Sequence, residues 1–273
     1  MNMSQNNYII FSDLDGTLLD HHTYTYIPAS EALARIRELS IPLILVSSKT
    51  RRELVYYQQE LSLTEYPFVV ENGAAFFTRV GYFDHLMDYQ QSEGLWQYTL
   101  GCDVNKIRTA LAEISTKYEY EIRGFHNSSI QEIARQTGLS EERVADAVKR
   151  EFSVPVFFDT RSEQILKNEV TKYGLTILYG GRFIHVLGNS NKGDCLRRIM
   201  QGFHLKHPDR KYMSIALGDS LNDFAMLEAA DYPVLVKKHN GKYEDRAGLN
   251  RIIYSPDIGP AGWNKSVLTI LNN

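Results

Sequence analysis

The stretch that most constrains this chain is Tyr8-Ile9-Ile10-Phe11-Ser12-Asp13-Leu14-Asp15-Gly16-Thr17-Leu18-Leu19. Its opening apolar run is too short for a helix and suits a buried strand. Two carboxylates follow at once, and Gly16 breaks the strand pattern. Residues i and i+2 of an extended backbone point the same way, so Asp13 and Asp15 are expected on one face at the strand's C-terminal end. In open α/β sheets that edge is where ligands bind. Two like charges buried there need a cation or a proton to offset them. A polar turn after a strand uses the same residue types, but it leaves an apolar strand feeding D-x-D-G-T unexplained.

The segments that follow build on this unit. Pro28-Ala29-Ser30-Glu31 opens a helix, with Leu33, Ile36 and Leu39 at helical spacing, and Ile41 to Val46 reads as a second buried strand. Strand, helix and parallel strand make a βαβ unit. Its second strand ends in Ser47-Ser48-Lys49-Thr50-Arg51, where a hydroxyl and helix-start amides suit an anion and two cations lie close. A plain helix cap is the competing reading of Ser47. A helix over 51–61 and a strand over 67–70 lead to Glu71-Asn72-Gly73-Ala74. That cluster is either a third edge of the same site or an Asn-Gly hairpin turn. Residues 74–82 would be the hairpin's returning arm.

From about Asp84 to Leu187 the composition shifts. Helices are expected from Asp103, over 128–136 and from Ser140, and strands over 154–158, 164–166, 175–178 and 182–186. Lys192 then precedes an amphipathic helix carrying Cys195, Leu196, Ile199, Met200 and Phe203. A strand over 212–217 ends in Gly218-Asp219-Ser220-Leu221-Asn222-Asp223. A helix over 224–230, a strand over 233–236 and a loop over 258–264 before a short last helix complete the chain. The expected architecture is α/β: a parallel-sheet core from residues 1–83 and 188–273, with an α+β unit inserted over 84–187.

Bulk properties narrow the function. A 273-residue chain, 43% hydrophobic, is long enough for a core plus a second unit. A formal net charge of −3 offers no basic footprint for nucleic acid. No apolar stretch reaches the length of a membrane span, and Met1 to Asn7 lacks the pattern of a signal peptide. Cys102 and Cys195 have no metal-type or redox-type spacing. The expectation is a cytoplasmic protein with reduced thiols and no nucleic-acid or membrane partner; no oligomeric state follows from the pattern.

D-L-D-G-T-L-L resembles the nucleophile motif of the haloacid dehalogenase superfamily of phosphatases and phosphotransferases, and G-D-S-L-N-D resembles its fourth motif. S-S-K-T-R-R-E and E-N-G-A-A-F-F narrow the resemblance to the mannosyl-3-phosphoglycerate phosphatase family. General sugar phosphatases of that branch tend to carry T-G-R where this chain has its Ser47 to Thr50 stretch. G-L-S-E-E-R-V-A-D-A-V-K-R-E-F-S is similar to the family's cap segment. The resemblance implies a Rossmannoid core with a mobile cap inserted between the second and third motifs. It implies Mg²⁺ held by the Asp13 carboxylate, the Asp15 main-chain carbonyl and the Asp219 carboxylate, with Asp223 and Asn222 supporting the metal or Lys192. Oxygen-only ligation of that kind suits Mg²⁺.

Phosphate-ester hydrolysis depends mostly on positioning and charge neutralisation. The expected chemistry has Asp13 attacking phosphorus to form an aspartyl-phosphate, while Asp15 protonates the leaving alkoxide and later takes a proton from water. Ser47 and Lys192 would hold phosphoryl oxygens. An Asp at the second position favours phosphoryl transfer over dehalogenation, which needs no leaving-group acid. Ser48, Lys49, Glu71, Asn72, Gly73, Arg182, His185 and Asn222 are the expected substrate contacts, with Arg182 as a fork for a carboxylate or phosphate. The implied substrate is a small phosphorylated glycosyl-glycerate, mannosyl-3-phosphoglycerate, giving the compatible solute mannosylglycerate. Glucosyl-3-phosphoglycerate, a broader range of sugar phosphates and a phosphomutase reaction are the enzymatic alternatives. A non-catalytic phosphoester-binding protein is the alternative from a different class, although Asp13, Asp15, Lys192 and Asp219 are all present.

Overall fold

The computed structural model describes residues 7–86, 88–180, 183–245 and 251–272. β1 (Asn7–Ser12) runs through the middle of the larger sheet, and Ile9 to Ser12 are fully buried. Burial on both faces is what a central parallel strand between two helical layers requires. Around it lie β2 (Leu43–Val46), β3 (Phe68–Val70), β4 (Ala75–Arg79), β5 (Gln90–Ser92) and β6 (Leu95–Thr99). β7 (Ser153–Phe157), β8 (Leu175–Gly180) and β9 (Phe183–Gly188) form a separate sheet; β10 (Tyr212–Gly218), β11 (Tyr232–Lys237) and β12 (Ile253–Ile258) return to the first. The order is β12-β11-β10-β1-β2-β3-β4-β6-β5, parallel as far as β3 and antiparallel beyond it.

Helices cover both faces of this sheet. On one, α1 (Ser30–Glu38) and α2 (Arg51–Glu60) pack with the C-terminal helix against Ile10, Leu43 and Leu45. The inserted unit contributes α3 (Val104–Lys117), α4 (Ile130–Thr137), α5 (Glu141–Ala147) and α6 (Thr160–Glu169). On the opposite face of the large sheet, α7 (Lys192–Lys206) and α8 (Phe224–Ala229) bury Cys195, Ile199, Phe203 and Phe224 against Ile9, Phe11 and Ile44. α9 (Gly259–Leu271) closes the chain. The insert has its own apolar core, in which Ile107, Leu111 and Ile114 of α3 meet Val154, Val156, Ile184 and Val186 of the antiparallel β7-β9-β8 sheet.

Three expectations differ from what is observed. Residues 90–99, placed in the insert by the boundary at 84, pair through β5 and β6 with β4 of the large sheet. Residues 164–166 lie in α6, because the Asp159 carboxylate accepts from the amides of Arg161 and Ser162 and starts a helix whose Ile165 and Leu166 face the core. Residues 259–264 open α9 instead of forming a loop, with Pro260 in the first turn, where its missing N–H costs nothing. Gly262 is required there: a Cβ would sit 1.9 Å from the Asp257 carbonyl oxygen.

Candidate active site

The C-terminal ends of β1, β2, β3 and β10 open on one edge of the sheet, and the start of α7 arrives beside them. Backbone bonds set the spacing: the Asp13 amide donates to the Leu217 carbonyl, the Asn72 amide to Ser47 O and the Glu71 amide to Lys49 O. The last two bonds hold Glu71 and Asn72 at φ 48° and 62°, a left-handed conformation that non-glycine residues seldom adopt. Gly73 lets α7 come in, since a Cβ there would lie 2.2 Å from the Asn191 carbonyl.

That approach delivers Lys192. Its fully buried Nζ donates to Asp13 Oδ1 and Asp223 Oδ1, both at 2.6 Å. Burial works against the ammonium, but the two carboxylates outweigh it and hold the amine above the usual lysine range. Asp223 is also tied through Oδ2 to the amides of Asp219 and Ser220. Asp219 accepts from the Ser220 hydroxyl. Asp13, Asp219 and Asp223 each offer an oxygen within 4.8 Å of the others, and all three residues are buried. Burial first, and Asp223 next, push the Asp13 carboxyl well above its ordinary range and Asp219 up to about 7. One lysine thus faces three acids, and the arrangement fits a bound cation.

Asp15 lies apart from that group. Its Oδ2 pairs with Lys49 Nζ at 2.7 Å, while its Oδ1 is buried without a protein partner. Ser47 is buried, and its Oγ accepts from the Lys49 amide. Asn72 Oδ1 accepts from Asn222 Nδ2 at 2.9 Å, which leaves the buried Asn72 Nδ2 as an unmatched donor at the same edge. An unmatched buried donor is costly unless a ligand completes it.

Residues 10–248 match the sequence model of the haloacid dehalogenase-like hydrolases. The chain belongs to that family. Two relatives cover nearly the whole hydrolase. The glucosyl-3-phosphoglycerate/mannosyl-3-phosphoglycerate phosphatase of Methanococcoides burtonii is 36% identical over 267 residues, 97% of each chain. The protein of the same name from Persephonella marina is 37% identical over 266 residues, again 97% of each. They place the hydrolase in the mannosyl-3-phosphoglycerate phosphatase family. A crystal structure of a Thermoplasma acidophilum protein shares the fold, with a TM-score of 0.70 at 16% identity over 98% of this chain and 99% of that one.

Several expected substrate contacts of this hydrolase have partners or packing roles inside the fold. Glu71 is fully buried, and its carboxylate accepts from the amides of Glu151 and Phe152 and from the Ser153 hydroxyl, at 2.6 to 3.2 Å. It clasps the insert's return segment, and three donors of that segment take up its two oxygens. Gly73 serves the approach of α7. His185 is buried in β9 beside Gly180, and burial pushes its imidazole down to about 3, which keeps the ring neutral. Ser48 gives its carbonyl to Arg150 Nη1 at 2.9 Å, another tie from the insert. Arg182 lies outside the described residues. The Asp15 carboxylate pairs through Oδ2 with Lys49, which is compatible with a metal held by its main-chain carbonyl. Conversely, Trp263, which the sequence pattern leaves without a role, supports the site: its fully buried Nε1 donates to Ser12 Oγ at 2.9 Å, and Ser12 Oγ donates to the Asp13 carbonyl at 2.7 Å. The G-P-x-G-W run was the only sequence signal for it.

Proposed function

We propose that this hydrolase releases phosphate from glycosyl-3-phosphoglycerates, with the mannosyl compound as the principal substrate and the glucosyl compound as the alternative. The observation that carries the reading is the buried Asp13-Lys192-Asp223 chain beside the Asp15-Lys49 pair. It supplies a nucleophile in a charge-compensated cleft and, at a separate position, a carboxylate for proton transfer. The names of the two full-length relatives support the substrate class.

In this reading an Asp13 oxygen attacks phosphorus as the ester bond to the leaving oxygen breaks, and Asp15 gives that oxygen its proton. Water then attacks the phosphoryl group and passes a proton to Asp15, which frees phosphate and restores Asp13. Lys192 holds Asp13 Oδ1 in place throughout, and Ser47 and the unmatched Asn72 amide bind phosphoryl oxygens. The acid group Asp13, Asp219 and Asp223 would hold Mg²⁺. When bound, the ion neutralises charge on the phosphoryl oxygens. The insert, counted from about residue 102 to 187, acts as a cap that reads the organic half of the substrate. The reading includes a cytoplasmic enzyme of compatible-solute synthesis, in keeping with the free thiols of Cys102 and Cys195.

The test is phosphate release from mannosyl-, glucosyl- and plain 3-phosphoglycerate with Mg²⁺, for the native enzyme and Asp13→Asn. Fast release from the glycosylated compounds, lost in the variant, is expected. Equal turnover of unrelated phosphomonoesters would overturn the substrate claim. Undiminished turnover by Asp13→Asn would overturn the mechanism.

A further inference from the structure

Tyr24 sits in the connection after β1 with φ 56°, a conformation that a bulky aromatic residue holds only under constraint. Its ring has a cation from each domain. Lys49 Nζ, from the loop after β2, lies 5.5 Å from the ring centroid, and Arg143 Cζ, from α5 of the insert, lies 5.4 Å from it. Lys49 also lies 5.9 Å from the centroid of the Tyr57 ring, and the Tyr57 hydroxyl feels both cations. The two positive groups therefore share one aromatic corner at the seam between core and insert.

Their charges are not matched in kind. Lys49 is paired with Asp15 at 2.7 Å. Arg143 is exposed, and its guanidinium has no carboxylate or hydrogen-bond acceptor among the described residues. It offers the planar fork that binds a carboxylate through two parallel hydrogen bonds. We propose that Arg143, with Lys49 and held by Tyr24, forms a carboxylate subsite for the leaving group, next to the proton donor. The proposal rests on the phosphoglycerate reading above and names the residues that recognise the glycerate. Asp15 hands its proton to the leaving oxygen, so the carbon skeleton must depart on the Asp15 side of the phosphoryl group. In a 3-phosphoglycerate the carboxylate sits at the far end of the same three-carbon unit. Two cations lie on that side: Lys49, which pairs with Asp15 at 2.7 Å, and Arg143, which shares the Tyr24 ring with Lys49. Because Arg143 belongs to the insert, the carboxylate would also bridge the two domains around the bound ester.

The test compares glucosyl-3-phosphoglycerate with the matching glucosylglycerol 3-phosphate, which lacks the carboxylate, in the native enzyme, Arg143→Gln and Tyr24→Leu. The readout is the ratio of the two kcat/KM values. The native ratio should favour the carboxylate-bearing ester, and Arg143→Gln should collapse that preference by about 10- to 100-fold through KM, the size of a lost charge-assisted bond. Tyr24→Leu should lower it in the same direction by roughly 3-fold, as loss of a cation–π contact would. A ratio unchanged in Arg143→Gln overturns the subsite while leaving the proposed function intact, even if both rates fall together. A native enzyme that prefers the carboxylate-free ester overturns the phosphoglycerate reading and the subsite with it, and one that turns over neither of these esters nor their mannosyl counterparts does the same.

Discussion

Lys192 is the residue on which the charge balance of the site turns. It is fully buried between Asp13 and Asp223, and removing one partner of a buried ionic group leaves the others uncompensated. Lys192→Met keeps the volume but removes the ammonium that pairs with Asp13 and Asp223 in a group of three buried carboxylates. We expect a loss of about 3–5 kcal/mol in urea unfolding without added metal and a fall in phosphate release of at least ~10²- to 10³-fold. Mg²⁺ should restore part of the stability and little of the rate. A variant as stable as the native protein without metal would contradict the role given to this lysine. Trp263 works at the same scale in a quieter way. Its bond to Ser12 braces the backbone that carries Asp13 and gives the Gly259 to Trp263 run a physical purpose.

Among the elements, the seam between core and insert gathers most of its bonds on one carboxylate. Glu71 meets residues 151–153 through two amides and a hydroxyl, and Arg150 Nη1 stands 3.8 Å from it. Burial raises its carboxyl above the ordinary range, and Arg150 and these donors oppose that. Arg51 to Glu151 and Thr50 Oγ1 to Asp146 O add to the seam. Glu71→Ala would strand the two amides, so a loss of about 2–4 kcal/mol in chemical denaturation is expected, with Glu71→Gln falling between the two. A loss below roughly 0.5 kcal/mol would mean that water replaces the clasp. These elements also show what could be read from the chain alone. Asp13, Asp219 and Asp223 are legible as a strand-end group because strand-end chemistry is local and two or three residues of context place each one, whereas Lys192, at the start of α7, is singled out only by the resemblance. Glu71 and Lys49 were legible as polar groups at strand ends but not in what they bind, since their partners depend on how distant elements pack. Residues 164–166 give a strand pattern in sequence and a helix in the fold because a three-residue apolar run fits either period, and the capping Asp159 upstream is the decisive signal. β6 carries a strand alternation, with Trp96 and Tyr98 buried between more exposed neighbours, yet it sits where composition changes and was assigned to the insert. Arg143 and Tyr24 could not have been paired from sequence, because only the fold brings α5 over the connection after β1.

At the scale of the whole molecule, the buried acid group couples global stability to pH and to a divalent cation. Asp219 is raised to about 7, by burial first and Asp223 next, from an unfolded value of about 4. In the window between those values the folded metal-free protein keeps a proton that the unfolded chain has released. The stabilising contribution of this group is therefore fully present below about pH 4 and is lost as pH rises through about 7. A cation in the same place replaces the proton, so the stability gained from a fixed concentration of Mg²⁺ should grow with pH through that window and level off above it. The measurement is the melting temperature with and without Mg²⁺ at pH 5.5 and pH 8, for the native protein and Asp219→Asn. Taking the difference between the two metal conditions removes the pH dependence of groups remote from the site. A larger Mg²⁺ shift at pH 8 than at pH 5.5, mostly abolished in Asp219→Asn, is the expected result. A shift of the same size at both pH values would place the cation away from these carboxylates and remove the reason for gathering them at the sheet edge.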